Sequence, residues 1–257
     1  MGRSDTSLLL SNFQKRDCMI NAIQVIGTGS KGNCCVIWDS KGNALLIDLG
    51  VRLNDTQRAL RYDMSCVQGA VVTHIHGDHA KYIPDFQAVG IEVYGNSSVV
   101  EKYPKCGLLG GKNRIGDFTV IPINTPHDVP CCAFMIEDVD NIRYLYITDT
   151  SGMQWAFKRV DYLIIECNHD LETIVDNMYD NDYATRSQYG NHMSLDECCK
   201  YVGYIDKSCM KGILLWHASS SNLNKAKAVE CVRDVSRMDN VMIAAKNVVM
   251  QTMDSNF

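Results

Sequence analysis

The chain has 257 residues, of which 46% are hydrophobic and 21% charged, and its formal net charge at pH 7 is −5. This composition is typical of a globular domain, and it argues against the strongly basic face with which proteins grip long nucleic acids. No apolar run is long enough to cross a membrane, so we expect a cytoplasmic protein with no membrane partner. Residues 1–17 are expected to form a leader, and residues 18–257 a single domain.

Short runs of apolar and β-branched residues, each closed by polar residues or glycine, predict strands. These runs are residues 20–26, 34–38, 44–49, 69–73, 118–123, 131–136, 144–148, 162–166, 212–216 and 241–245. Helices are predicted at residues 55–62, 79–88, 98–103, 195–205 and 223–235. Ser98 with Glu101, and Ser194 with Glu197, fit capping boxes at two helix starts. The mixture predicts sheets covered by outer helices.

Twelve cysteines raise the question of disulfides or a zinc site. The chain contains no C-x-x-C and has instead three adjacent pairs, at residues 34–35, 131–132 and 198–199. Neighbouring side chains point in different directions along a strand or helix, so such a pair does not easily chelate one metal. We therefore expect reduced and mostly buried thiols.

The segment from His74 to His79 is the most informative in the chain. His74 and His76 follow a predicted strand at spacing i, i+2, which places both imidazoles on one side of an extended backbone. Asp78 and His79 come on the next turn and lead into a helix. Four candidate ligands this close can serve two metals, because the first pair cannot easily reach the same ion as the second. Imidazole and carboxylate together suit zinc, and also manganese or iron.

Further candidates stand where other predicted strands end, so all of them could converge on one rim of a sheet. We assign seven residues to two divalent metal ions, with zinc expected first and manganese as the alternative: His74, His76 and His127 on one, Asp78, His79 and His217 on the other, and Asp149 as the bridge. Asp48 also closes a strand. It is interpreted either as an acceptor behind a ligand imidazole or as the cap of the following turn.

The motif H-x-H-x-D-H, followed by separated His, Asp and His, resembles the metallo-β-lactamase superfamily over nearly the whole chain from Ile20 onward. The resemblance implies an α/β fold, a four-layer αβ/βα sandwich in a single domain. Asp149 stands where a two-zinc β-lactamase usually has Cys, and His76 where a flavodiiron protein has Glu. Pro126 replaces the Gly of glyoxalase II before the third His. The RNase Z-related phosphodiesterase branch therefore fits best.

Within that branch, several stretches resemble the WalJ/YycJ-like group, whose members are described as metal-dependent DNA exonucleases. They are residues 27–33 (GTGSKGN), His127-Asp128, residues 166–170 (ECNHD) and residues 190–194 (GNHMS), the last with Asn191 inserted between Gly and His. The long tRNA-gripping arm of RNase Z has no room here. A related set of small phage enzymes opens cyclic nucleotides, and the acidic charge and compact length suit a small substrate of that kind at least as well as a long duplex. Relatives suggest a homodimer.

We therefore predict a binuclear metal-dependent phosphodiesterase that acts on a nucleotide or nucleic-acid substrate, either exonuclease-like or cyclic-nucleotide-degrading, by attack of a metal-activated hydroxide. Asp78 would orient the hydroxide. His192 is the candidate proton donor to the leaving alkoxide, and its alternative role is a surface histidine near a helix start. Weaker candidates for substrate binding, for which structural roles are the alternative, are Ser30, Asn33, Asn168, His169 and Ser219.

Two other functions stay open. The same metals could run thioester or lactone hydrolysis, which predicts an apolar acyl pocket rather than a polar one. A metal-stabilised regulatory protein without catalysis is the third interpretation, and loss of even one ligand would favour it.

Overall fold

The computed structural model describes residues 20–178 and 190–252, and the predicted leader at residues 1–17 lies outside them. The strands, numbered in chain order, are β1 (Ala22–Gly27), β2 (Cys34–Trp38), β3 (Ala44–Ile47), β4 (Val67–Val72), β5 (Val93–Gly95), β6 (Gly107–Leu108), β7 (Asn113–Ile115), β8 (Phe118–Thr125), β9 (Cys131–Glu137), β10 (Arg143–Ile147), β11 (Tyr162–Glu166), β12 (Gly212–Trp216), β13 (Val241–Ile243) and β14 (Val249–Gln251). The helices are α1 (Leu53–Ala59), α2 (Gly77–Ala80), α3 (Ile83–Ala88), α4 (Ser97–Lys102), α5 (Leu171–Met178), α6 (Leu195–Tyr204) and α7 (Lys225–Ser236).

The strands form two seven-stranded sheets. The first has the order β14-β1-β2-β3-β4-β5-β6, and the second has the order β13-β12-β11-β10-β9-β8-β7. Each sheet has an antiparallel half and a parallel half, the parallel strands being β3 to β6 in the first and β10 to β13 in the second. The end of the chain returns to the first sheet, where Gln251 of β14 pairs with Ala22 of β1.

Three apolar clusters hold the layers together. One lies between the two sheets and contains Tyr144, Tyr146 and Trp216. A second joins the outer face of the second sheet to α6 and α7, and a third joins the outer face of the first sheet to α3 and α4. Along β10, the tyrosines belong to the cluster between the sheets, whereas Leu145 and Ile147 pack beneath the helices. The strand is therefore apolar on both faces. This arrangement confirms the predicted four-layer αβ/βα sandwich.

All the predicted strands occur: β2, β11 and β12 have the predicted bounds, and the other predicted strands have shifted ends. Four strands were not predicted, β5, β6, β7 and β14, and each has three residues or fewer. Such short segments show too little alternation to be recognised from sequence. Helix α5 was also not predicted.

The single helix predicted at residues 79–88 is wrong, because the structure divides it. Helix α2 ends at Ala80, and α3 begins at Ile83 with Pro84 in its first turn. Proline has no N–H to donate and its ring would clash with the carbonyl one turn earlier, so it is tolerated at a helix start but not in the interior.

One of the two predicted helix caps is correct. Ser194 Oγ accepts a hydrogen bond from Glu197 N (3.1 Å) at the start of α6. At α4 the cap is Asn96, whose Oδ1 accepts from Val99 N (3.1 Å), so the capping role predicted for Ser98 is wrong.

The cysteines agree with the prediction of reduced, mostly buried thiols. The described part of the chain holds eleven free cysteines, of which seven are buried. No helix in this part is long and apolar enough to cross a lipid bilayer.

Candidate metal centre

The seven predicted ligands lie together where strands of both sheets end. The first sheet supplies the four that follow β4: His74, His76, Asp78 and His79. The second sheet supplies the three that follow β8, β10 and β12: His127, Asp149 and His217. They form two groups, each with its ligand atoms within 4.8 Å of one another, and Asp149 belongs to both.

In the first group, three imidazole nitrogens face one another. His74 Nε2 lies 3.1 Å from His76 Nδ1, which lies 3.3 Å from His127 Nε2. Asp149 Oδ2 completes the group at 3.5 Å from His74 Nε2. Two ligands of a tetrahedral ion at 2.0–2.1 Å are separated by about 3.3 Å. The four atoms are thus spaced as the ligands of a single ion would be.

The second group has the same spacing. His79 Nε2 lies 3.2 Å from Asp149 Oδ2, and His217 Nε2 lies 3.5 Å from Asp149 Oδ1. Asp78 Oδ2 is 3.6 Å from both of these nitrogens. His217 Nε2 is buried and has no hydrogen-bond partner among the described residues, although it faces two carboxylates. A cation at this position would satisfy it, so the donor set fits a metal ion.

Charge at the centre supports the same conclusion. Burial alone would raise the pKa of Asp149, yet His217 and His79 hold that pKa well below its usual range. Burial would lower the pKa values of these two histidines, but Asp149 above all raises them, that of His217 to about 10. A carboxylate this deeply buried is stable only beside positive charge. Protons on the imidazoles supply that charge in the metal-free chain, and divalent cations could replace them.

Asp48 lies where the first of its two interpretations requires. Its Oδ2 accepts a hydrogen bond from His79 Nδ1 (2.8 Å), and another from Tyr146 OH (3.1 Å). Its Oδ1 accepts from Thr73 N and Thr73 Oγ1, both at 2.9 Å. Holding the proton of His79 on Nδ1 leaves Nε2 to face the metal centre.

Asn33 was a weak candidate for substrate binding with a structural role as the alternative, and the structure places it beneath the metal loop. Its side chain is fully buried, with Nδ2 2.9 Å from His79 Nε2, and its backbone N–H donates to Asp78 O (2.7 Å). Gly50 N donates in turn to Asn33 O (2.9 Å). A Cβ on Gly50 would overlap the Asp78 carbonyl, so glycine is needed for this close approach.

Glu166 was not predicted to act at the site. It is fully buried at the end of β11, and its Oε1 accepts a short hydrogen bond from His192 Nδ1 (2.6 Å) and lies 3.4 Å from His217 Nδ1. Its Oε2 accepts from Thr150 N (2.9 Å). The 2.6 Å separation is that of a hydrogen bond rather than of two ligands sharing an ion. The rule that located Asp149 and His217, a polar side chain at a strand end, would also have located Glu166.

His192 lies beside the metal centre. Its ring stacks on that of His217, with centroids 5.1 Å apart and planes inclined by 12°. Burial would lower the pKa of His192, but the Glu166 carboxylate outweighs this effect and raises it. Glu166 therefore favours the protonated form of the His192 imidazole, next to the two ligand groups.

A cavity of about 520 Å³ opens onto the centre. Ser30, Asn168, His192 and Ser219 line it as expected for substrate-facing residues. Asn168 Nδ2 also donates to His217 O (2.9 Å), and Ser219 Oγ caps a turn by accepting from Asn222 N (3.1 Å).

His169 does not line the cavity, contrary to its weak candidacy for substrate binding. It is 1% exposed, and its carbonyl accepts from Leu195 N (2.8 Å) at the start of α6. Its described contacts are therefore structural.

Comparison with known proteins identifies the fold. Residues 27–130 match the family model described as the metallo-beta-lactamase superfamily. A comparison with curated proteins finds no match. Among solved structures, the metallo-beta-lactamase fold protein YhfI from Bacillus subtilis is 20% identical with a TM-score of 0.68, over 89% of this chain and 98% of that one. Human tRNase Z, short form, is 16% identical with a TM-score of 0.63, over 90% of this chain and 99% of that one.

Unliganded yeast PDE1 is 10% identical with a TM-score of 0.65, over 90% of this chain and 99% of that one. At these identities the structural likeness establishes the fold alone. Together with the family model, which matches residues 27–130, it confirms the fold predicted from the sequence.

Proposed function

We propose that this chain, whose fold is that of the metallo-β-lactamase superfamily, is a binuclear metal-dependent phosphodiesterase acting on nucleotide or nucleic-acid bonds. The observation that carries the proposal is the Glu166–His192 pair, which lies beside the two ligand groups and whose His192 lines the same polar cavity. Hydrolysis of a phosphodiester uses a metal centre for the attack and, separately, a proton donor for the leaving group.

Two cations held by the seven ligands would lower the pKa of a water molecule and neutralise charge on the phosphoryl oxygens. Asp78 and Asp149 are the metal-centre carboxylates that line the cavity, and Asp78 is the more accessible, with its side chain 25% exposed against 3% for Asp149. Asp78 is therefore the carboxylate that can accept a hydrogen bond from the attacking water and fix its direction. Zinc is the first expectation for the metal, with manganese as the alternative.

His192 is assigned the proton for the leaving group. An alkoxide leaves poorly unless it is protonated as the P–O bond breaks, and a cationic imidazole is suited to that task. Glu166 engages Nδ1 and raises the pKa of the ring, so Nε2 is the nitrogen that would deliver the proton to the leaving oxygen.

The lining of the cavity favours phosphodiesters over thioesters or lactones. Among the described residues that line it, the apolar side chains are Ala218, Ala244 and Ala245, and the others are polar, charged or glycine. These described residues offer an acyl chain no apolar pocket. A thiolate, moreover, is a stable anion that leaves without a donated proton, so a thioester would make little use of His192.

Leaving-group dependence tests the assignment. We expect His192→Gln and Glu166→Gln to lower kcat on the thymidine dinucleotide TpT by about 10²- to 10⁴-fold, the usual contribution of a general acid. On the p-nitrophenyl ester of thymidine 5′-phosphate the loss should stay below about tenfold, because nitrophenolate leaves without a proton. His169→Gln is the matched control, since His169 lies outside the cavity lining.

Equal losses on the two substrates would remove His192 from the leaving-group side of the reaction. Protein loaded with zinc or manganese that turns over an acyl thioester, but neither phosphodiester, would refute the proposed function.

A further inference from the structure

Away from the metal centre, the cavity is lined by three chain segments that meet there from different parts of the fold. They are residues 28–31 between β1 and β2, residues 218–225 leading into α7, and residues 244–246 after β13. Each brings one exposed lysine to the cavity, and we call these three residues the lysine rim: Lys31, Lys225 and Lys246.

The lysine rim is a positively charged region of a protein that is acidic as a whole. The chain has 30 acidic and 25 basic residues, yet none of the three segments contains Asp or Glu. The acidic residues that line the cavity, Asp78, Asp128 and Asp149, all belong to the metal centre or adjoin its ligands. The cavity lining therefore combines the carboxylates and imidazoles of the metal centre with ammonium groups from three other chain segments.

The three lysines form few ion pairs with carboxylates of the described residues. Lys31 and Lys225 have no ion-pair partner among residues 20–178 and 190–252, and Lys246 makes one exposed contact, with Asp55 Oδ1 at 3.3 Å. Lys225 is the first residue of α7, a helix of 12 residues with no acidic residue in its first turn. The positive end of the helix dipole thus adds to the charge of the rim.

We propose that the lysine rim binds a second phosphate of the substrate, adjacent to the phosphodiester that is cleaved. The inference rests on the proposed function and narrows it. The scissile phosphate must lie at the metal centre, so a 3′,5′-cyclic mononucleotide, which has a single phosphate, would leave the rim without an anion. A dinucleotide or longer chain with a further phosphate would place one phosphate at the metal centre and another at the lysine rim. The substrate class is accordingly an oligonucleotide or cyclic oligonucleotide.

The test compares TpT with the same dinucleotide carrying a terminal phosphate, pTpT or TpTp. In the wild-type chain we expect kcat/KM for one of the phosphorylated forms to exceed that for TpT by about tenfold, the combined effect of three exposed contacts. In the triple variant Lys31→Gln, Lys225→Gln, Lys246→Gln this ratio should fall to about one. The matched control, Lys105→Gln, Lys112→Gln, Lys158→Gln, makes the same charge change at exposed lysines outside the cavity lining and should keep the wild-type ratio.

A binding measurement separates this inference from the proposed function. Thymidine 3′,5′-bisphosphate should bind about tenfold more tightly than thymidine 5′-phosphate, and the rim variant should lose that preference and show a weaker dependence of affinity on salt. Equal affinities for the two ligands in the wild-type chain, or a preference that survives in the rim variant, would overturn the second phosphate site. Absence of any phosphodiester turnover would instead refute the proposed function, and the binding result would still decide on the rim.

Discussion

Replacing Asp48 with asparagine would show how strongly the support behind His79 contributes to metal binding. One carboxylate here accepts four hydrogen bonds, from Thr73 N, Thr73 Oγ1, His79 Nδ1 and Tyr146 OH. Asparagine has nearly the same shape, and it tolerates the left-handed backbone of this position, where φ is 61°. The substitution therefore removes acceptor capacity while leaving the loop its conformation.

An asparagine at position 48 can satisfy only one side of this network. With its oxygen toward Thr73, its NH₂ group faces His79 Nδ1, so the histidine must move its proton to Nε2, the nitrogen at the metal centre. With its oxygen toward His79, the buried N–H of Thr73 loses its acceptor, which costs about 1–3 kcal/mol. Loss of such a support typically weakens metal binding by about 10- to 100-fold. We expect Asp48→Asn to lose affinity by that factor, or about 1.4–2.8 kcal/mol.

Competition with a chromophoric zinc chelator measures the affinity, and urea unfolding measures the stability of the same preparations. Tyr146→Phe is the matched control, because it removes one donor to the same oxygen and leaves the acceptor of His79 intact. Its metal affinity should stay within about threefold of the wild-type value. A folded Asp48→Asn variant that binds zinc as tightly as the wild-type chain would refute the reasoning.

Three further predictions concern proton release on metal binding, the pH dependence of stability, and the packing of the metal loop. Burial lowers the pKa values of His79 and His217, but Asp149 raises them by more than burial lowers them. Both rings of the metal-free chain are therefore cationic at pH 7, and each must lose one of its two N–H protons to bind a metal ion. Calorimetry in buffers of different ionisation enthalpy should therefore show about two protons released per chain, and no release would contradict the prediction. Because the pKa of His217 is raised from 6.5 to about 10 on folding, its protonation stabilises the metal-free chain. This stabilisation should be complete below pH 6.5 and lost as the pH rises through about 10. Gly50→Ala should lower the free energy of unfolding by at least about 3 kcal/mol, because its Cβ would overlap the Asp78 carbonyl. Gly111→Ala, whose Cβ meets nothing within 4 Å, should change it by less than about 0.5 kcal/mol. Equal stability of the two variants, measured in urea, would contradict the described contact.

Strands β10 and β12, which lead to Asp149 and His217, could be predicted because they are buried on both faces and so read as unbroken apolar runs. A polar residue that ends such a run, as Asp149 and His217 do, is conspicuous. Glu166 was missed although it closes a run of the same kind. Its importance comes from the parallel neighbours β10 and β12, which place it between Asp149 and His217, and strand order is not visible in the pattern of one strand.

Loop positions were harder to predict than strand ends. Ser30 and Asn33 lie in the same glycine-rich loop, yet the first lines the cavity and the second is fully buried under Asp78. What separates them is how closely the loop packs on Gly50, which depends on contacts between segments distant in sequence. The N-cap of α4 is Asn96 and not the predicted Ser98, for a related reason. Both are good capping residues, and the chain entry from β5 decides which of them stands at the helix start.

The division of the ligands between the two sheets has a consequence for how the chain assembles. The segment from His74 to His79 can form as soon as the first sheet does, but His127, Asp149 and His217 reach it only when the second sheet has docked. Neither ligand group is complete in a half-folded chain, so cations should bind tightly only after docking and not guide the early steps of folding. Once bound, the cations would hold the two sheets together, because each cation has ligands from both sheets. By mass action, each metal would then stabilise the docked form over every state in which the two halves have separated.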